Sequence, residues 1–105
     1  MRLTDYELSV IQKTFRECFS SKDHLWLFGS RTDDSKRGGD IDLYIESEDT
    51  EVDKAIDKKL LLGVKLWELL GEQKIDIVLN LVTKNEDTPI FRMAKETGIK
   101  IVKPA

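Results

Sequence analysis

Behind Thr4-Asp5-Tyr6-Glu7, apolar residues recur at helical spacing: Leu8, Ile11, Phe15 and then Cys18 or Phe19. The opening tetrad has the capping-box form, in which a Thr hydroxyl and a Glu carboxylate each accept from the other's backbone N–H, so a first helix is predicted to about Ser20. Lys22-Asp23-His24 turns the chain into Leu25-Trp26-Leu27-Phe28, apolar at every position as in a strand covered on both faces. From Asp40 the pattern alternates. Ile41, Leu43 and Ile45 form a core face, with Asp40, Asp42 and Tyr44 opposite. Lys74 to Leu79 alternates likewise, with Ile75, Ile77 and Leu79 on one side and Asp76 on the other.

Thr50 to Leu70 is predicted to be a long helix whose core stripe runs through Val52, Ile56, Leu60, Gly63, Trp67 and Leu70. Leu61, Leu62 and Leu69 spread round its circumference, more apolar surface than one stripe can hide, and are assigned to a contact surface. Scattered surface leucines are common, but clustered ones favour an interface. Thr88-Pro89 announces a last helix, Gly98 stops it, and Ile99 to Val102 makes a final strand. The expected architecture is α/β: one small mixed sheet with packed helices, spanning residues 1–105 as a single unit.

The chemistry lies where the first two strands meet. Asp40 and Asp42, at i and i+2, project from one strand face, and two neighbouring anions repel unless a cation screens them. Such an all-oxygen site suits Mg²⁺, and Asp76 would supply a third carboxylate if its strand lies alongside. Gly29-Ser30 closes the preceding strand, with a glycine that permits close backbone approach and a hydroxyl fit to meet phosphate. A Gly-Ser pair alone usually marks a turn, and Asp-x-Asp alone is common on exposed strands. Their succession, followed by Asp76, is what carries the reading. Arg31, Lys36 and Arg37 are candidates for contact with a triphosphate, although a charged loop is often merely solvated; Asp33 and Asp34 are read as solvent-facing.

Leu27-Phe28-Gly29-Ser30-Arg31, Gly39-Asp40-Ile41-Asp42-Leu43, Lys74-Ile75-Asp76-Ile77-Val78 and the tail Pro89 to Gly98 together resemble the minimal nucleotidyltransferases of the DNA polymerase β superfamily. That resemblance implies a palm-like core and transfer of a nucleoside monophosphate, AMP from ATP, to a hydroxyl acceptor with two Mg²⁺ ions. It assigns Asp40, Asp42 and Asp76 to the metals and catalysis, and Gly29, Ser30 and Arg31 to the nucleotide. It also implies a helical HEPN-type toxin as partner, a tyrosine of that partner as acceptor, and an antitoxin role. Leu61, Leu62 and Leu69 would meet the partner or, alternatively, form a homodimer. The rival readings are a non-catalytic binding antitoxin and a nucleotide-sensing subunit.

Composition narrows this further. Seventeen basic against 20 acidic residues, a net charge of −3, give no basic surplus for an extended nucleic-acid surface. No apolar run approaches membrane-spanning length and the start lacks a signal core, so a cytoplasmic location is expected. Cys18 is read as a buried hydrophobe, His24 as a residue at a strand start, and Trp26 and Trp67 as core.

Overall fold

A computed structural model describes residues 3–29, 41–71 and 73–102. Ser30, Arg31, Lys36, Arg37, Asp33, Asp34 and Asp40 lie outside the described residues. Helix α1 (Asp5–Cys18) begins at the expected capping box: Thr4 Oγ1 accepts from the Glu7 N–H at 3.0 Å, and Glu7 Oε1 accepts from the Thr4 N–H at 3.0 Å. It ends two residues short of Ser20, because Phe19 leaves helical geometry and stacks back on Phe15 with ring centroids 5.0 Å apart. Asp23 then does more than turn the chain. Its buried carboxylate accepts from the backbone N–H of Ser20 at 3.1 Å and of Glu48 at 3.0 Å, tying the α1 exit to the far end of the second strand.

Strands β1 (His24–Phe28) and β2 (Ile41–Ser47) are antiparallel. Helix α2 (Val52–Leu70) then crosses over and β3 (Ile75–Leu81) returns parallel to β2. A 3-10 turn (Val82–Lys84) leads to α3 (Pro89–Thr97), capped by Thr88 Oγ1, and to β4 (Ile99–Val102), antiparallel to β1. The sheet order is β3-β2-β1-β4. Its two faces carry different cores. On one, α1 and α2 pack Ile11, Phe15, Leu62 and Leu66 onto Leu25, Leu27, Ile41, Leu43 and Ile45. On the other, Ala94 and Phe91 of α3 cover Trp26, Phe28 and Tyr44, so the face assigned to Asp40, Asp42 and Tyr44 carries a second, aromatic core.

Two glycines earn their places differently from one another. Gly98 ends α3 in extended geometry (φ −83°, ψ 165°), and a Cβ there would collide with the Ala94 carbonyl and come within 2.9 Å of the Leu27 carbonyl. Close packing, not a left-handed cap, demands glycine at that position. Gly71, after α2, has φ 83° with open space around it.

The face that α2 presents to the core departs from expectation. Ala55, Leu62 and Leu66 are buried, whereas Val52, Ile56, Leu60 and Trp67 are 43%, 44%, 60% and 55% exposed. Trp67 is therefore not core, and Leu62, at 0% exposure, belongs to the core and not to a contact surface. Leu61 and Leu69 do face outward. The reason is geometric: α2 carries apolar residues on adjoining stripes, and periodicity alone cannot say which of two stripes turns inward. The small side chain of Ala55 favours close approach of that stripe to the sheet. Among the described residues, no helix is long and apolar enough to cross a membrane.

Candidate functional site

Parallel register sets Asp42 directly opposite Asp76, as Cα partners on neighbouring strands. The ladder is pinned beside them by the Ile41 N–H, which donates to the Lys74 carbonyl at 3.0 Å. Residues directly paired across a sheet share a face, so the two carboxylates project side by side, Asp42 partly buried and Asp76 exposed. On the antiparallel side, Phe28 is the partner of Asp42. Gly29 follows at once with φ 78°, and a Cβ built on it would run into Asp42 Oδ2. The glycine turn, Asp42 and Asp76 thus form one continuous patch at the N-terminal ends of β2 and β3. Ser30, Arg31 and Asp40, also assigned to this site, lie outside the described residues, and the described ones include no group of three potential metal ligands.

The donor chemistry fits Mg²⁺. Asp42 and Asp76 both offer carboxylate oxygens, the donor type this hard cation prefers, and a divalent ion between adjacent anions on one face would stabilise them. The glycine lets the Asp42 carboxylate lie directly against the turn, where any side chain would displace it.

Further along the same face is a polar cluster that sequence reasoning missed. Tyr44 Oη donates to Glu46 Oε2 and accepts from Asn80 Nδ2, each at 2.9 Å. Lys95 Nζ of α3 lies 3.3 Å from Glu46 Oε2. Burial, opposed by the Asn80 hydrogen bond and reinforced by Glu46, pushes the Tyr44 phenol up to about 12. The signal was present: Asp42, Tyr44 and Glu46 alternate, as do Asp76, Val78 and Asn80, and the register pairs Glu46 with Asn80. Beside Tyr44, Trp26 lies beneath two cations, Lys100 at 4.7 Å and Lys95 at 5.6 Å from its ring centroid. His24 stacks on Trp26 at 5.6 Å, and its pKa is lowered by desolvation first and then by Lys100.

No protein-family model and no curated protein matches this sequence. Four chains of solved structures match. One belongs to the crystal structure of the toxin-antitoxin MntA-HpeT, in a mutant with two Asp-to-Glu replacements; it is 20% identical, with a TM-score of 0.65, over 92% of this chain and 72% of that one. At that identity the likeness speaks to the fold alone, and the chain shares the small α/β architecture of that structure: a four-stranded mixed sheet with helices on both faces, here with two carboxylates paired across its parallel strands.

Proposed function

We propose that the protein is a Mg²⁺-dependent nucleotidyltransferase that moves AMP from ATP onto a hydroxyl of a protein partner, and that it serves as an antitoxin. The observation carrying this reading is the direct pairing of Asp42 with Asp76 beside the left-handed Gly29. The match to a toxin-antitoxin structure supports the antitoxin role. That mutant changes two aspartates two positions apart, the spacing of Asp40 and Asp42 here. The partner is a helical HEPN-type toxin, with a tyrosine hydroxyl as acceptor.

In this reading Asp40, Asp42 and Asp76 would hold two metal ions, whose charge would be supplied against the phosphates and the attacking oxygen. Gly29, Ser30 and Arg31 hold the terminal phosphates in line with the acceptor. The acceptor oxygen bonds to the α-phosphorus as the bond to pyrophosphate breaks, and the acceptor proton passes to the Asp76 carboxylate. Positioning and charge neutralisation then do most of the work, without a protein nucleophile.

The test is incubation of the protein with its toxin, Mg²⁺ and labelled ATP, followed by intact-mass analysis. Asp42→Asn and Asp76→Asn should each lower transfer by about a hundredfold or more, the scale of a lost electrostatic group, with circular dichroism unchanged. Transfer at the original rate in both variants would sink the mechanism. Toxin neutralisation that persists without transfer would make the protein a binding antitoxin.

A further inference from the structure

The outer edge of the sheet at β3 lies beside the exposed stripe of α2. Val52, Ile56, Leu60, Val64 and Trp67 run along the helix, and the half-buried Ile75, Ile77, Leu79 and Leu81 line the strand. Between them are two hollows of about 410 and 530 Å³, rimmed by Lys59, Lys84 and Glu86. Among the described residues β3 has a strand on one side only. An apolar edge strand free of proline and of bulges is a template for another strand unless it is covered. We infer that this face is covered by a second copy of the chain, β3 pairing antiparallel with its twofold mate to continue the sheet across the dimer.

The backbone selects the register. Because the Ile41 N–H bonds to the Lys74 carbonyl, the N–H and C=O groups of Lys74, Asp76, Val78 and Asn80 point toward β2. Those of Ile75, Ile77, Leu79 and Leu81 point outward. Antiparallel strands exchange both bonds at alternate facing pairs, and a twofold axis at Val78 alone matches all four outward residues, Ile75 with Leu81 and Ile77 with Leu79 of the mate. About eight new backbone hydrogen bonds result.

Side chains agree on both faces. On the helix side every facing pair is apolar. On the other, Val78 meets itself and Asp76 meets Asn80, so no like charges oppose one another, an arrangement that would be destabilising. The α2 stripes of the two copies then face each other in antiparallel fashion below the joined sheets. The five stripe residues expose on the order of 500 Å² per copy; with the strand edge added, that approaches the roughly 800 Å² per partner of a stable interface.

The experiment is sedimentation velocity on the full chain across a micromolar concentration range, joined to site-specific crosslinking. The wild type should sediment as two chains. Leu79→Pro removes an outward N–H that β2 does not use and should yield one chain, while Leu79→Ala, with the same packing loss but the N–H intact, should still pair. Trp67→Glu should also yield one chain. On mild oxidation Val78→Cys should give a disulfide-linked dimer, because facing non-hydrogen-bonded residues lie about 4.5 Å apart. Asp76→Cys should not, being on the order of 13 Å from its own mate. A wild-type monomer throughout, a dimer that survives both Leu79→Pro and Trp67→Glu, or crosslinking at Asp76→Cys in place of Val78→Cys would overturn the inference.

Discussion

Gly29 and Gly71 have nearly the same φ, 78° and 83°, but different neighbours. Beside Gly71 an added Cβ meets nothing within 4 Å, whereas at Gly29 it strikes the Asp42 carboxylate. A positive φ costs an alanine roughly 1–3 kcal/mol, so both Gly→Ala changes should lower the urea midpoint. Only Gly29→Ala should also lower transfer per folded molecule, since it displaces Asp42 as well as straining the turn. Loss of transfer in Gly71→Ala, or none in Gly29→Ala, would detach the glycine turn from the site. The Gly29 requirement was legible from Gly-Ser at a strand end. The role of Asp23 was not: its two backbone donors come from Ser20 and Glu48, and only the second turn of the fold brings Glu48 near.

Helix termini and strand alternation could be read from local chemistry, because a cap or an i, i+2 pattern is decided within a few residues. Thr4 with Glu7 and Thr88 with Pro89 cap the helices expected of them. The orientation of α2 is decided by what packs against it, which no local signal states. Leu61 and Leu62 are adjacent and identical, yet one is 48% exposed and the other fully buried among Ile11, Phe15 and the sheet residues. Truncating a buried leucine costs about 2–5 kcal/mol; a surface change away from special features stays within about 0.5 kcal/mol. Leu62→Ala should therefore shift the urea midpoint substantially, and Leu61→Ala hardly at all. Equal effects would reverse the helix rotation described above. The Tyr44, Glu46 and Asn80 cluster escaped notice for a related reason: β2 and β3 are separated in sequence by all of α2, and only their register joins these side chains.

Stability of the whole molecule carries a pH signature from His24. Its folded pKa lies below the ordinary value of 6.5, chiefly through desolvation and then through Lys100 and Lys95, with Glu46 opposing. The unfolded chain therefore binds a proton more readily than the folded one between the two values. Stability should be level above pH 6.5 and fall as the pH drops from there through the lowered folded value. Urea denaturation of the wild type at pH 7.5 and 5.5 should show this loss, and His24→Gln should reduce it. A profile unaffected by His24→Gln would show that the stack on Trp26 has no part in acid sensitivity. The Asp49 carboxylate, held low mainly by its hydrogen bond from Lys58, acts at more acid pH and in the same direction: its contribution is present above 3.8 and is lost as the pH falls below that value.

β1 takes one partner from β2, soon after it in the chain, and the other from β4, which arrives only at Ile99–Val102. Gln12 Nε2 reaches across the same closure, donating to the Ile101 carbonyl at 2.9 Å over a separation of 89 residues. Loop-closure entropy grows with the logarithm of the spanned length, and topologies rich in distant contacts fold slowly. A chain collapsed as far as α3 would still hold β1 open along one side, with Leu25 and Leu27 half enclosed. Gly98, packed against the Leu27 carbonyl, joins α3 to this last strand. Among the described strands, the β1–β4 pairing thus closes the longest span of chain, at the sheet edge opposite β3.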